Sequence, residues 1–376
     1  MPRYRFGWGC NAKPTRRVPW VGSKSSLDSF FTRPQNGSST HPYRATATAA
    51  AGIDECGELL HHLQQYPRRS FMSNPIPQRE LAWSQVDVFA EAAYEGNMLA
   101  IFHDGTGLST AQMQSLARET NLSETTFILP QDAEAEAREG VQVRIFTTQE
   151  ELPFAGHPTL GTASWLCWNH PVLRGSSKIR MRLKGGVIDV QFKPSSDGER
   201  GIYGEMQQFD PVFSETHSHA AVAKALGLLP EDLDASLEPQ TVSTGLSFCI
   251  VALRDPSVLS RLSIPPDKST QYLATTGARF FYCVARSESE SETWHARMQF
   301  YNGEDPATGS AAGCAVSYLV HHSVAPSGTP IVLKQGLEML RPSRIIASAT
   351  RTEDGVGKVF IGGRTIHVAK GRFFLP

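Results

Sequence analysis

Residues 296–320 read Ala296-Arg-Met-Gln-Phe-Tyr-Asn-Gly-Glu-Asp-Pro-Ala-Thr-Gly-Ser-Ala-Ala-Gly-Cys-Ala-Val-Ser-Tyr-Leu-Val320. The pattern predicts a strand, then a tight acidic turn around Asp305, then a helix that opens with small residues from Thr308. Small side chains leave the backbone N–H groups of a helix N-terminus uncovered, and these groups attract an anion together with the helix dipole. The stretch therefore predicts an anion site that includes Ser310 and the N–H groups near Gly309, or else a structural helix capped by Asp305 or Ser310.

A second stretch repeats this order of elements. It reads Leu152-Pro-Phe-Ala-Gly-His-Pro-Thr-Leu-Gly-Thr-Ala-Ser-Trp-Leu166 and also runs through a turn into a helix that begins with small residues. Gly156-His157 parallels Gly309-Ser310, although the spacing to the next glycine differs by one residue. This weak internal repeat indicates two duplicated domains. If the two helix N-termini face each other, a carboxylate substrate fits between them.

The composition excludes several classes of protein. The chain has 376 residues, which is long enough for two domains, each with its own core. Its 36 Lys and Arg against 37 Asp and Glu argue against a nucleic-acid-binding protein, which carries a basic excess. No apolar run is long enough for a transmembrane helix. No dinucleotide or Walker motif occurs, and the histidines and cysteines lack metal-ligand spacing, so we expect no cofactor and no metal.

Residues 1–80 differ from the rest of the chain and are predicted to form an N-terminal extension. The first fifty residues contain eight Arg or Lys and a single acid, Asp28, among many Ser, Thr, Pro and Ala. This composition fits a transit peptide over residues 1–70, which predicts a mitochondrial location. We favour a disordered extension, with a short isolated helix at Asp54–Gln65 and a cytoplasmic protein. Met72 is an alternative start that leaves a complete globular protein.

The remaining sequence alternates strands with few helices, which predicts an α+β fold. Ser109 is predicted to cap a helix that ends at Thr120. Residues 132–140 are predicted to form an acidic, solvated loop. Two separate strands are predicted near the C-terminus, at Val356–Ile361 and at Thr365–Phe374.

Four short motifs follow one another along the chain: Asn121-Leu-Ser-Glu-Thr125, Glu151-Leu-Pro-Phe-Ala-Gly-His-Pro-Thr-Leu-Gly161, Glu304-Asp-Pro-Ala-Thr-Gly-Ser-Ala-Ala-Gly313 and Gln335-Gly-Leu-Glu-Met-Leu-Arg-Pro-Ser343. Together with Glu95-Gly-Asn-Met-Leu-Ala100, they resemble the PhzF-like phenazine biosynthesis family from about residue 84 to the C-terminus. The resemblance implies the diaminopimelate-epimerase-like fold, with two similar domains, each a sheet wrapped around a central helix. The active site is then expected in the cleft between the domains.

The resemblance also implies the domain boundaries and the activity. The first domain is expected over residues 81–197, joined by the last strand at about 365–376, and the second over residues 198–364. The implied function is a cofactor-independent isomerase of a small carboxylic acid, similar to trans-2,3-dihydro-3-hydroxyanthranilate, in secondary metabolism. The resemblance implies a homodimer. The scattered cysteines without a secretory signal favour the cytoplasm, and the balanced charge and the lack of a long apolar run predict that the protein binds neither nucleic acid nor membrane. The alternative is a non-catalytic binding or partner protein that retains the fold.

The resemblance implies three catalytic residues. Glu124 is the expected general acid/base, because a carboxylate at a loop-to-strand junction is able to move a proton between two carbons of one substrate; burial is expected to raise its pKa. Asp305 is the second carboxylate, which holds the amino or hydroxyl group of the substrate or caps the helix. His157 is expected to hydrogen-bond the substrate or move a proton, although a lone histidine is more often structural.

Three further residues are expected to bind the substrate: Ser310, Gly309 and Gly156. Ser310 and the N–H groups near Gly309 are expected to hold a carboxylate, and the two glycines to allow a close backbone approach. Asp87 is a weaker candidate and is otherwise structural. The turn Tyr301-Asn302-Gly303 is shorter than is usual in the family, so the pocket is expected to differ.

Overall fold

The computed structural model describes residues 79–193, 201–300 and 303–375. The helix predicted at Asp54–Gln65 and residues 1–78 of the predicted extension lie outside this range. The predicted domain boundary between residues 197 and 198 also lies outside it, so the division into domains stays a prediction. Among the described residues, no helix has the length and apolar character needed to cross a membrane.

The described residues contain seventeen strands and seven α-helices. The strands are β1 Arg79–Val88, β2 Asn97–Phe102, β3 Glu124–Leu129, β4 Val141–Phe146, β5 Glu151–Leu152, β6 Lys178–Leu183, β7 Gly186–Phe192, β8 Ile202–Gln207, β9 Val212–Thr216, β10 Gln240–Ser243, β11 Ser247–Ala252, β12 Phe280–Arg286, β13 Thr293–Phe300, β14 Gly303–Asp305, β15 Ile331–Gln335, β16 Ser343–Thr352 and β17 Gly355–Leu375. The helices are α1 Thr110–Thr120, α2 Ala133–Glu139, α3 Gly156–Asn169, α4 His219–Leu226, α5 Pro256–Ser260, α6 Pro266–Leu273 and α7 Gly309–His321, with a 3₁₀ turn at Pro230–Asp232.

Eight strands pair into a closed ring in the order β1, β2, β3, β4, β6, β7, β8 and β17, and β17 pairs again with β1. Helix α3 contacts six of these strands, and eleven of its fourteen residues are buried. A helix that is buried on nearly all sides belongs to a core. A Cβ on Gly161 would lie 2.7 Å from the side chains of Leu99 and Val88, so this helix needs a glycine to fit against the strands.

A second series of strands lies around helix α7. The series runs β9, β10, β11, β12, β13, β15, β16 and β17, with mixed parallel and antiparallel pairs. Helix α7 contacts five of these strands, and twelve of its thirteen residues are buried. The fold is thus a mixed α/β arrangement with a strand barrel, and each strand series has one largely buried helix.

Strand β17 belongs to both strand series. Its first half pairs with β16 and β8, and its second half, from Thr365 to Leu375, pairs with β1. The prediction of two separate strands here was wrong. Gly362 and Gly363 lie between the two predicted strands and allow close packing without interrupting β17: a Cβ on Gly363 would lie 2.5 Å from the ring of Phe89.

The two predictions for the first helices had different outcomes. Helix α1 is confirmed, since the hydroxyl of Ser109 accepts from the backbone of Gln112, whose side chain accepts from the backbone of Ser109. The predicted acidic loop at residues 132–140 was wrong, because it contains helix α2. Alanines at alternate positions favour a helix, and the Asp132 carboxylate caps it by accepting from Ala135 N at 2.8 Å.

Candidate active site

The N-termini of helices α3 and α7 meet. A Cβ on Gly156 would lie 3.0 Å from Ser310 N and 3.1 Å from the carbonyl carbon of Gly309, so the two backbones touch at these glycines. The cap residues Ala155 and Thr308 make no side-chain capping hydrogen bond. Two helix N-termini with such uncapped N–H groups favour a negatively charged ligand at this junction.

A cavity of about 290 Å³ opens at this junction. Ala155 and Ser310 line it at the helix N-termini, and Glu124 and Asp305 also contribute to its wall. The remaining wall has polar and apolar parts, and its apolar part includes Phe154, Leu246, Phe248, Phe280, Met298 and Phe300. The volume and the mixed lining suit a small organic acid, with polar groups that fix its orientation.

Local structure explains why Glu124 faces the cavity. Helix α1 ends at Thr120 and is capped by Asn121, whose φ of 51° lies in the left-handed region that asparagine tolerates. The chain then turns into β3, whose first residue, Glu124, pairs with Leu99 in the parallel neighbour β2. The Glu124 side chain is only 16% exposed. Burial raises its pKa well above the ordinary value, and the negative charge of Asp305 raises it further.

Asp305 lies at the end of β14 and accepts three hydrogen bonds. Asn97 Nδ2 donates to Oδ1 at 2.7 Å, Thr308 Oγ1 donates to Oδ2 at 2.6 Å, and Ser123 Oγ donates to Oδ1 at 3.3 Å. Burial raises the pKa of Asp305 to about 6, although these hydrogen bonds lower it. The two carboxyl groups therefore differ: Asp305 is surrounded by donors, whereas burial makes Glu124 a strong proton acceptor.

His157 contacts Glu124 from behind the cavity wall. Its Nε2 lies 3.4 Å from Glu124 Oε2, and its Nδ1 lies 3.2 Å from Asn97 Nδ2. The ring is only 4% exposed, and burial lowers its pKa to about 3, so it is neutral near pH 7. Among the described residues His157 is not one of those that line the cavity. The geometry therefore favours a role that acts through Glu124.

Asn97 has no role in the sequence-based predictions, but its side chain connects the predicted residues. Its side chain is fully buried, and its amide nitrogen lies within hydrogen-bond distance of Asp305, of the Ala307 carbonyl at 2.9 Å and of His157. The motif Glu95-Gly-Asn contained a signal, but an asparagine after glycine is usually interpreted as a turn residue.

The structure also shows the positions of the expected substrate-binding residues and of Asp87. Ser310 lines the cavity, and Gly156 and Gly309 form the contact between the helices behind it. Asp87 is structural, because its buried carboxylate accepts from Arg341 at 2.9 Å and from Tyr94 N at 2.6 Å.

Comparison with known proteins identifies the family. Residues 86–371, well over half of the chain, match the family described as phenazine biosynthesis-like protein. The chain belongs to this family. A curated relative, trans-2,3-dihydro-3-hydroxyanthranilate isomerase of Pseudomonas aeruginosa, is 33% identical over 293 residues, which cover 77% of this chain and 98% of the relative.

Solved structures agree with the phenazine biosynthesis-like assignment. One described as a predicted epimerase from Pseudomonas aeruginosa is 33% identical with a TM-score of 0.66, over 78% of this chain and 99% of that one. A PhzF-family protein from Bacillus anthracis has a TM-score of 0.69 over 78% of this chain and 99% of that one; at 23% identity it shows the fold alone. The chain is therefore an isomerase or epimerase of the phenazine biosynthesis-like family.

The cavity mouth of this phenazine biosynthesis-like chain carries an ion pair. The side chains of Glu150 and Arg279 pair across 129 residues of sequence, and both line the cavity. The guanidinium of Arg279 also lies 5.6 Å from the ring centroid of Phe280.

The short turn at Tyr301-Asn302-Gly303 lies largely outside the described residues, because residues 301–302 are not described. The turn joins β13 to β14, and these two strands pair with Phe300 opposite Gly303.

The contact between the helices gives a first prediction. In Gly156→Ala the new methyl group meets the backbone of Gly309 and Ser310, so the helix N-termini must separate. We expect KM for a carboxylate substrate to rise about tenfold, and the free energy of unfolding to fall by about 1–3 kcal/mol. Steady-state kinetics and urea unfolding measure both.

The control for this prediction is Gly277→Ala. Gly277 is exposed, and a Cβ there would meet the carboxyl group of Glu215 at ordinary van der Waals distances, the nearest atom being Oε1 at 3.4 Å. We expect it to change neither quantity measurably. Unchanged KM in Gly156→Ala would contradict the anion site at the helix junction.

Proposed function

We propose that the chain is a cofactor-independent isomerase that moves a proton within a small carboxylic acid similar to trans-2,3-dihydro-3-hydroxyanthranilate, in secondary-metabolite biosynthesis. One observation carries the proposal. Two buried carboxyl groups with raised pKa values, Glu124 and Asp305, share a cavity with two helix N-termini that lack side-chain caps. The curated relative with this activity, 33% identical, supports the same substrate class.

The proposal includes two similar domains with the active site in the cleft between them. Residues 81–197 with the last strand would form the first domain, and residues 198–364 the second. The cavity lining supports this division, because Glu124 comes from the first set of residues and Asp305 from the second. The buried helices α3 and α7 have equivalent places in the two strand series and meet at the cavity.

In the proposed complex the substrate carboxylate binds the N–H groups at the starts of α3 and α7 and the hydroxyl of Ser310. The carbon skeleton packs against the apolar wall that includes Phe248 and Met298. Asp305, which three donors favour as the anion, accepts from an amino or hydroxyl group of the substrate. This arrangement presents a carbon of the substrate to Glu124.

Glu124 performs the proton transfer. As a carboxylate it removes a proton from one carbon, so that a C–H bond breaks and an O–H bond forms. The carboxylic acid then returns the proton to a second carbon while the double bonds shift, and no atom is oxidised or reduced overall. Burial raises the pKa of Glu124, which makes its carboxylate a stronger base. His157 is a positioning residue that contacts Glu124 Oε2.

The test separates an enzyme from a non-catalytic binding protein. The full chain, treated with a chelator and dialysed, is mixed with trans-2,3-dihydro-3-hydroxyanthranilate, and both bound ligand and product are followed by proton NMR. We expect conversion without any added cofactor. Binding without conversion would favour the small-acid binding protein, and conversion only after a metal or nucleotide is restored would contradict cofactor independence.

The oligomeric state and location belong to the same proposal. We propose a homodimer on the resemblance to the family, and a cytoplasmic location on the scattered cysteines of the sequence. Sedimentation of the purified chain distinguishes a dimer from a monomer, and imaging of the tagged full chain distinguishes the cytoplasm from mitochondria.

The ion pair at the mouth gives a second prediction. Glu150→Gln leaves the guanidinium of Arg279 without its acidic partner at the cavity mouth, so we expect KM for an anionic substrate to fall about two- to fivefold at low salt. Arg279→Gln should raise KM by a similar factor. Both effects should fade in about 0.5 M salt, because exposed charges are screened. Initial rates at several salt concentrations measure this.

The matched control is Glu119→Gln, which makes the same charge change at an exposed residue of α1 that is not among the described residues lining the cavity. It should leave KM unchanged. Equal changes in all three variants, or changes in kcat alone, would contradict a role for the ion pair at the mouth.

A further inference from the structure

The fourth sequence motif begins with Gln335, which lies behind the proposed active site. Its side chain is fully buried at the end of β15. It makes four hydrogen bonds: Nε2 donates to the Asp305 carbonyl at 2.7 Å and to Thr308 Oγ1 at 2.9 Å, while Oε1 accepts from Thr308 N at 3.1 Å and from Tyr282 Oη at 3.0 Å. The side-chain amide of Gln335 thus binds both the backbone of Asp305 and Thr308, the residue that precedes helix α7.

The chemistry of the partners fixes the direction of these hydrogen bonds. The backbone N–H of Thr308 only donates, and the carbonyl of Asp305 only accepts, so the oxygen and the nitrogen of the Gln335 amide cannot be exchanged. Since Thr308 Oγ1 accepts from Gln335, its own proton is free for another acceptor. The Asp305 carboxylate oxygen, at 2.6 Å, is a much stronger acceptor than Met298 Sδ at 3.3 Å.

We propose that Gln335 is a positioning residue: it aims the hydroxyl proton of Thr308 at Asp305 and thereby keeps Asp305 in its anionic form beside Glu124. Asp305, which holds the substrate, is then the anion, and Glu124 is the carboxyl group that binds the proton removed from the substrate. The catalytic importance of this role rests on the proposed function. The protonation state of the Asp305 carboxyl group, however, is measurable without substrate.

The surroundings of Asp305 show why such support matters. Glu124 from β3 faces it, and the neighbouring Glu304, which is paired with Arg297, raises its pKa. Tyr282 from β12 lies near, and His157 from α3 is neutral and is joined to it only through Asn97. Among these described groups none brings a positive charge to Asp305. Hydrogen-bond donors therefore favour its anionic form.

The test measures the titration of Asp305 directly. The full chain is labelled with ¹³C at the aspartate carboxyl carbons, and the Asp305 signal is the one that disappears in Asp305→Asn. We expect its midpoint at a pH of about 6 in the wild type. The midpoint should rise by about one pH unit in Thr308→Val, because this variant removes the hydroxyl group that donates to Asp305. It should rise by a similar amount in Gln335→Met, because this variant removes the amide that orients that hydroxyl group.

Two comparisons separate this role from general support of the fold. The double variant Thr308→Val with Gln335→Met should show no larger shift than Thr308→Val alone, because Gln335 acts through that hydroxyl. Tyr282→Phe is the matched control: it removes one hydrogen bond to Gln335, but Thr308 N still holds the amide in place. We expect no shift of the Asp305 midpoint in that variant.

The opposite results would overturn the proposal. The proposal is wrong if the Asp305 midpoint does not shift in a folded Gln335→Met variant. It is also wrong if the double variant shows the sum of the two single shifts, or if Tyr282→Phe shifts the midpoint as much as Gln335→Met does. If Gln335→Met does not fold, Gln335→Glu replaces it, because its carboxyl oxygen accepts the Thr308 proton and turns it away from Asp305. Thr308→Val should then add nothing to that variant, and a further rise would overturn the proposal. None of these outcomes depends on turnover.

Discussion

Glu124→Gln is expected to lower kcat by about 10²- to 10⁴-fold, which is the usual contribution of a general acid/base. Glutamine has nearly the same shape and keeps a hydrogen-bonding group near His157 Nε2, but it cannot take up a proton. Substrate binding should therefore stay within about twofold. Single-turnover kinetics and ligand-observed NMR measure the two quantities separately.

The same variant should be more stable than the wild type at neutral and alkaline pH. The pKa of Glu124 is raised in the folded protein, so its carboxyl contributes stability at low pH that is lost as the pH rises through the folded pKa. Glutamine does not titrate, and we expect a melting temperature roughly 2–4 °C higher above that pH. Glu150→Gln, at a half-exposed residue, is the control and should show no such trend. Full activity, or no gain in stability with rising pH, would contradict the assigned role.

Asn97→Ala is expected to lower kcat about 10²-fold. The variant removes the amide that donates to Asp305 and to the Ala307 carbonyl, so the carboxylate loses both its position and part of its preference for the anionic form. Buried acceptors without donors should also lower the free energy of unfolding by about 2–3 kcal/mol. Kinetics and chemical unfolding measure the two effects.

The matched control is Gln240→Ala. Gln240 is also a buried amide, and its Nε2 donates to the Ser214 carbonyl at 3.1 Å, away from the cavity lining. We expect it to lower stability but not kcat. If Asn97→Ala keeps kcat within about twofold of the wild type while losing stability, Asn97 has only a structural role.

The sequence motifs, together with the family resemblance that they carry, predicted three of the residues that line the cavity. Glu124 is the first residue of β3, Asp305 is the last residue of β14, and Ser310 lies in the first turn of α7. All three lie next to turn residues that are recognisable in the sequence, and all three line the cavity. Gly156 and Gly309 form the contact between the two helices behind the cavity. Glycine is needed there, because a Cβ on Gly156 would meet the backbone of α7. Their functional roles stay predictions.

The rest of the site depends on contacts that local sequence does not encode. Asn97 and Asp305 are 208 residues apart, and Glu150 and Arg279 are 129 residues apart, so only tertiary pairing brings them together. Burial likewise decides that His157 lies behind the cavity wall. The break predicted between Ile361 and Thr365 was wrong for the same reason, since the pairing of β17 with β16, β8 and β1 is a set of long-range contacts.

The central claim is that a carboxyl group of the protein moves a proton between two carbons of a small acid. The most direct measurement is the reaction of the wild type with trans-2,3-dihydro-3-hydroxyanthranilate in deuterated water, with the product examined by NMR. We expect an isomer of unchanged oxidation state, with the new C–H position formed by the transferred proton or by solvent deuterium. No product from the folded protein, or a product that is oxidised or hydrolysed, would contradict the claim.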